Sequence, residues 1–342
     1  MANPVPGHFV LKRGSIALDF FPWWENECET GNYSDRTEVF SAKFQQIVRF
    51  KQLRPQITRF NSNPNPMNPK ITHYLAGILL VVLLISCKKE GYDVLKAHAD
   101  KVETLPPVQS GVSMAVTPNC GGYLKSLPAY YDSSNREYPL IIFIHGIGEL
   151  GNGTTNLINM DRAGLPRLIK KNAFPADFEV EGKHYSFVVI SPQFKKWPTS
   201  ADVKAVLDHS VKQYRIDKSR IYITGLSMGG GVTWNYAAEM GNTVAAAAPV
   251  CGGSWPDEKR TSSIAAFNLP VWAFHNADDP IVAVSISRNF ITNINAHHPA
   301  VEAKVTVWAT GGHDAWTKAY DPNFRENKKN LYEWMLQYSL KQ

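Results

Sequence analysis

The seven residues Gly225-Leu226-Ser227-Met228-Gly229-Gly230-Gly231 constrain this chain more than any other feature. Ahead of them, Arg220 to Thr224 is short and rich in β-branched and aromatic side chains, which predicts a buried strand; behind them, a helical stretch holds Trp234, Tyr236 and Met240. A strand that reverses directly into a helix strains the backbone at the turn. It also brings neighbouring chain too close for side chains, so glycines must flank the turn. A G-x-S-x-G turn of this kind lifts the serine hydroxyl above the sheet and sets it at a helix N-terminus, whose dipole favours developing negative charge. Ser227 is therefore the candidate nucleophile.

The surrounding pattern supplies the fold that such a turn requires. Leu140 to Ile144, Phe187 to Ile190, Ile221 to Thr224, Val244 to Val250, Val271 to Phe274 and Lys304 to Trp308 read as buried strands. Helix-length segments lie between or after them: Ala201 to Tyr214, with Val203, Val206, Leu207, Val211 and Tyr214 on one face, then Val282 to Ala296 and Lys328 to Leu340. Strand-helix alternation of this kind predicts an α/β fold, a doubly wound, mostly parallel sheet in a single catalytic domain over 119–342. With 44% hydrophobic residues in 342, the chain has enough apolar material for a core of that size.

A serine hydroxyl needs a base to take its proton, and the base needs a carboxylate to orient it. After the strand ending at Phe274 comes His275-Asn276-Ala277-Asp278-Asp279-Pro280, which puts two carboxylates at the carboxyl edge of the sheet. The next strand leads into Gly311-Gly312-His313-Asp314-Ala315-Trp316, which makes His313 the candidate base. His297 and His298, before Pro299, read instead as a solvated helix end. The backbone N–H of Met228, which follows the nucleophile, and that of Ile147, in the loop His145-Gly146-Ile147-Gly148-Glu149, are the candidate oxyanion donors. His145 is expected to orient that loop. Glu149 either binds a substrate hydroxyl or braces the loop.

The N-terminal third reads differently. Tyr74 to Ile85 is an uninterrupted apolar run of about a dozen residues, well short of the ~20 that cross a bilayer. It follows a short basic start, Met67-Asn-Pro-Lys70, and leads into Leu84-Ile85-Ser86-Cys87, the anatomy of an export signal. Leu-Ile-Ser-Cys resembles the lipobox of bacterial lipoproteins, in which cleavage precedes a lipidated cysteine. That resemblance implies a signal over 67–86, a lipid on Cys87 that attaches the chain to a membrane, and export to the bacterial cell envelope, at the periplasmic or cell-surface side. Residues 1–66 are expected to be an extension without a function of their own, and 87–118, with Pro106-Pro107, a tether. The net charge of +6 comes from 36 basic and 30 acidic side chains with no block of like charge, so no nucleic-acid partner is expected. The four cysteines are too scattered for a disulfide framework or a Cys-x-x-Cys metal site, and no cofactor or metal is expected.

From Gly121 to Gln342 the chain resembles the esterase and feruloyl-esterase-like branch of the α/β-hydrolases, including carbohydrate esterase family one and polyhydroxybutyrate-depolymerase-like proteins. The residues that carry the resemblance are Tyr138-Pro-Leu-Ile-Ile-Phe-Ile-His-Gly146, Ser191-Pro-Gln193 before Trp197, Arg220-Ile-Tyr-Ile-Thr-Gly-Leu-Ser-Met-Gly-Gly230, Ala248-Pro-Val-Cys-Gly-Gly253, Trp272-Ala-Phe-His275, Gly312-His-Asp-Ala-Trp316 and Leu331-Tyr-Glu-Trp334. The resemblance implies a serine carboxylic-ester hydrolase whose acid is Asp279. Asn276 stands where the family usually has glycine, and Ala283 where proline is common, which keeps Asp278 as the alternative acid.

The same resemblance implies a small-molecule or polysaccharide ester as substrate, acyl or feruloyl. Trp255, Trp316 and Trp197 fall on loops after strands, where aromatic faces suit sugars or phenolic acyl groups. A Cys120–Cys251 disulfide is an option in an exported protein, with a small buried hydrophobe as the other reading of Cys251. Two other functions share the pattern: a peptidase of the prolyl-oligopeptidase type, which usually carries β-propeller repeats not found here, and a noncatalytic glycan-binding lipoprotein, which would be expected to lack one of the three catalytic residue types.

Overall fold

The computed structural model describes residues 102–340. The N-terminal extension, the signal and Cys87 lie outside the described residues. Among the described residues ten strands form: β1 Val108–Val112, β2 Cys120–Leu127, β3 Tyr138–Ile144, β4 Phe178–Val180, β5 Lys183–Tyr185, β6 Val188–Phe194, β7 Ile216–Leu226, β8 Ala246–Val250, β9 Trp272–Asn276 and β10 Lys304–Trp308. Eight of them make one sheet in the order β1-β2-β6-β3-β7-β8-β9-β10, while β4 and β5 pair as a separate hairpin. β1, β2 and β6 are joined antiparallel, and every pairing from β6 to β10 is parallel. This is the doubly wound, mostly parallel sheet of an α/β-hydrolase fold.

The seven α-helices among the described residues are α1 Gly164–Lys170, α2 Ser200–Gln213, α3 Met228–Met240, α4 Glu258–Ala266, α5 Val284–Ala296, α6 Trp316–Ala319 and α7 Leu331–Met335. Neighbouring residues of β3 divide between two cores. Leu140, Ile142 and Ile144 face a cluster containing Val203, Val206 and Leu207 of α2, whereas Ile141 and Phe143 face one containing Phe174, Phe187 and Tyr332. Because both faces of the sheet are covered, the central strands are continuously apolar rather than alternating. Helix α3 is buried along most of its length, and Gly229 explains how it sits so close to the sheet. A β-carbon there would come within 2.0 Å of the Ile144 carbonyl oxygen.

Three expectations change. The stretch read as a tether joins the sheet at Val108, where β1 pairs along β2 from Val108–Leu127 to Val112–Tyr123. As an edge strand it is mostly exposed, so it carries no apolar run to announce it. The helix expected over Lys328 to Leu340 is only α7, started by an Asn330 cap that exchanges hydrogen bonds with Glu333. Beyond it the Tyr338 carbonyl accepts the Tyr222 hydroxyl and the Leu340 amide donates to Ser219, which draws the chain off the helix towards β7. Cys120 and Cys251 are free, buried thiols that belong to different cores, one on each face of the sheet, so no disulfide joins them.

Candidate active site

Ser227 stands between the end of β7 and the start of α3 with φ 53° and ψ −117°. A non-glycine residue at positive φ costs about 1–3 kcal/mol and persists only where its surroundings hold it. Here its N–H donates to the Val250 carbonyl at 3.0 Å, and its carbonyl accepts from Gly231 at 3.0 Å. The strained turn is thus tied both to the neighbouring strand β8 and to the first turn of its own helix.

The Ser227 hydroxyl donates to His313 Nε2 at 2.8 Å, and His313 Nδ1–H donates to Asp279 Oδ2 at 2.8 Å. His313 is reached from the loop after β10 and Asp279 from the loop after β9, so three parallel strand ends contribute one group each. The Asp279 side chain has no exposed surface. Its burial opposes ionisation, but the hydrogen bond from His313 and the amides of Val282 and Ile281 outweigh that penalty and hold the carboxyl below its ordinary range. Asp278, the alternative acid, is exposed and directed elsewhere. Its two oxygens accept the N–H groups of Gly311 at 3.2 Å and Gly312 at 2.8 Å.

The candidate oxyanion donors flank this hydroxyl. Met228 opens α3 immediately after Ser227, and a β-carbon on Gly146, the residue before Ile147, would lie 3.7 Å from Ser227 Cβ. Among the described residues neither the Met228 nor the Ile147 amide donates to another group of the protein. Such free amides at helix starts are suited to receive negative charge. His145 orients their loop: it is buried, its Nδ1–H donates to the Gly146 carbonyl at 2.6 Å, and its Nε2 accepts from Phe194 N–H at 3.0 Å. Burial pushes its pKa down to about 4, against the opposing effect of the Gly146 hydrogen bond.

Glu149 is half-buried. Burial raises its carboxyl pKa, with the Gly146 amide and Arg162 pulling the other way. Its main chain is braced by Gln193, whose Nε2 donates to the carbonyls of Glu149 at 2.9 Å and Asn156 at 2.8 Å. Trp316 stands edge-on to the His313 ring, with centroids 5.4 Å apart at 89°. Trp255 is 76% exposed and Trp197 50%. Ile147 and Ile281 are also exposed, on the oxyanion and acid loops respectively. His297 and His298 sit exposed at the end of α5.

Donor atoms of Cys251, Asp279 and His313 lie within 4.8 Å of one another. They make a poor metal set, because Asp279 and His313 are already bonded to each other and burial pushes the Cys251 thiol up to about 12. The residue whose role the sequence alone did not reveal is His275. Fully buried, it accepts from Ser287 Oγ at Nδ1 over 2.8 Å, and its Nε2–H donates to the Val282 carbonyl at 2.9 Å, with Asp279 Oδ2 at 3.3 Å. Burial lowers its pKa and keeps the ring neutral.

A protein-family model described as phospholipase/carboxylesterase matches residues 128–320. A bifunctional acetylxylan esterase/xylanase of Neocallimastix patriciarum is 29% identical over 134 residues, which are 39% of this chain and 17% of that protein. The chain therefore spans less than a fifth of that relative's length. Among solved structures, a thermostable esterase is 24% identical, with 68% of this chain and 63% of that one covered and a TM-score of 0.48. A feruloyl esterase module from Clostridium thermocellum, complexed with sinapinate, is 17% identical over 64% of this chain and 87% of that one, with a TM-score of 0.45. Since the family model covers more than half of the 342 residues, the chain belongs to the phospholipase/carboxylesterase family, an esterase-type group of hydrolases.

Proposed function

We propose that the chain is a serine carboxylic-ester hydrolase that works through an acyl-enzyme on Ser227. The single observation that carries this reading is the unbroken line of two 2.8 Å hydrogen bonds from Ser227 Oγ through His313 to Asp279. In the first half-reaction Ser227 Oγ adds to the ester carbonyl carbon while His313 Nε2 takes its proton. Asp279 holds Nδ1–H, so the ring keeps the tautomer that leaves Nε2 free to accept, and it stabilises the imidazolium that forms. The carbonyl oxygen becomes an oxyanion that receives the Met228 and Ile147 N–H groups. Collapse breaks the bond to the alcohol oxygen, which takes the proton from His313 Nε2 and leaves. Water then repeats the sequence on the acyl-serine, releases the acid and restores the serine.

The substrate proposed is an acyl or feruloyl ester, including esters on polysaccharides. It rests on the family resemblance, on the relative named for acetylxylan cleavage, and on Trp316 as an aromatic surface beside His313, with Trp255 an exposed aromatic on the loop after β8. Glu149 is proposed to face a substrate hydroxyl from the oxyanion loop. A panel of acetyl, feruloyl and long-chain esters tests the reading: turnover of one class, lost in Ser227→Ala, supports it, and a purified chain that hydrolyses none of the three contradicts it.

The lipid anchor on Cys87 and export to the bacterial cell envelope are proposed on the Leu-Ile-Ser-Cys sequence alone. Expressed in a bacterial host, the chain should take up labelled palmitate, and Cys87→Ser should not. Equal labelling of the two would overturn the anchor.

A further inference from the structure

The loop that carries His313 is held in an unusual way. Gly311 and Gly312 adopt φ 147° and 59°, and a β-carbon on Gly312 would meet no atom within 4 Å. Two consecutive glycines in that conformation have a broad backbone ensemble, and no side-chain packing closes over Gly312 to restrict it. What grips this turn is polar and comes from the end of β9 and the residues after it. Asp278 accepts the N–H groups of Gly311 and Gly312, and Asn276 Nδ2 donates to the Gly312 carbonyl at 3.0 Å. Asn276 is fully buried and fills the space against Gly311, where a β-carbon would come within 2.5 Å of its amide nitrogen. The Gly311–Gly312 turn is thus bonded at both amides and at both carbonyls, the Gly311 carbonyl accepting the Asp314 N–H at 3.3 Å, directly before His313.

We propose that Asn276 and Asp278 are positioning residues that clamp the Gly311–Gly312 turn and so keep the His313 ring between Ser227 and Asp279. The proposal rests on the reading of those three residues as the catalytic set, and it deepens that reading. It assigns Asp278 a role as a two-oxygen acceptor for backbone N–H groups, distinct from that of the adjacent Asp279. The glycine usual in the resembling family at position 276 has no side chain with which to hold Gly312. In this chain the asparagine amide does so.

The test uses the full chain with Asp278→Ala, Asp278→Asn, Asn276→Gly and the double variant Asp278→Ala/Asn276→Gly. Two readouts are taken: kcat and KM on p-nitrophenyl acetate, and the low-field proton resonance of His313 Nδ1–H. Asp278→Ala should lower kcat about 10-fold, short of the ~10² that a 1 Å misplacement can cost, with KM little changed and the proton resonance broadened. Asp278→Asn keeps an acceptor oxygen for the Gly312 amide and should recover most of that loss. The double variant should lose less than the product of the single losses, because both substitutions loosen one turn. A sharp resonance and full kcat in Asp278→Ala would overturn the proposal, and so would an Asp278→Asn variant as impaired as the alanine. If Ser227→Ala kept full ester turnover, the catalytic reading would fall, while the resonance would still report whether the clamp holds His313.

Discussion

Asp279 Oδ2, the oxygen that accepts the His313 proton, also lies 3.3 Å from Nε2 of His275, four residues earlier in the chain. The neutral ring of His275 bonds Ser287 of α5 on one side and the Val282 carbonyl on the other, so strand end, acid loop and helix are joined at one buried point. The acid loop is therefore seated from beneath by a histidine that need never change charge.

Replacing His275 by alanine should cost about 3 kcal/mol or more. The change empties a fully buried site and leaves the Val282 carbonyl and the Ser287 hydroxyl without their partner. Urea denaturation measures the loss. A variant within experimental error of the wild type would mean that the loop is seated by other contacts.

Stability should fall as pH drops from about 6.5 towards 4. Burial pushes the His145 pKa down to about 4, whereas an unfolded chain binds that proton near 6.5. A histidine kept neutral by folding contributes fully above the unfolded value, and the contribution is lost as the unfolded state takes up the proton below it. For His145 the whole effect is roughly 3 kcal/mol, and His275 shifts in the same direction. Urea midpoints measured between pH 7 and 4.5 should decline steeply in the wild type and less steeply in His145→Asn. Equal slopes would show that His145 does not stay neutral.

Gly146→Ala should reduce kcat/KM by about 10-fold or more while the chain still folds. The added β-carbon would lie 2.8 Å from Leu226 Cδ1 and 3.1 Å from Glu149 Oε2, both flexible side-chain ends, so the loop shifts rather than unfolds. The shift moves the Ile147 amide, and complete removal of an oxyanion donor is worth about 10² to 10³. Unchanged kcat/KM would remove Ile147 from the oxyanion site.

The central strands were legible in the sequence because a strand buried on both faces reads as an unbroken apolar run, as Leu140 to Ile144 and Val271 to Phe274 do. The edge was not. β1 exposes most of its residues, and β2 mixes Gly121, Gly122, Lys125 and Ser126 among its buried positions, so neither shows that run. Ser227 and His313 stood out because strained turns need glycines around them. Asp278 and Asp279 did not separate, because which of two adjacent carboxylates meets the histidine depends on how the turn is bonded. The Ile281 and Val282 amides hold Asp279 Oδ1, while the Gly311 and Gly312 amides take Asp278. The separation of Cys120 from Cys251 likewise follows from which face of the sheet each one reaches, something no spacing in the sequence records.

Covalent labelling with a fluorophosphonate tests the central claim most directly, read as the mass of the modified peptide together with residual ester turnover. A single adduct on Ser227, formed in step with the loss of turnover and absent from a folded Ser227→Ala variant, is the predicted result. That variant should retain no more than the roughly 10³ to 10⁴ over water that binding and oxyanion donors alone provide. An adduct on another residue, or full turnover in folded Ser227→Ala, would contradict the account.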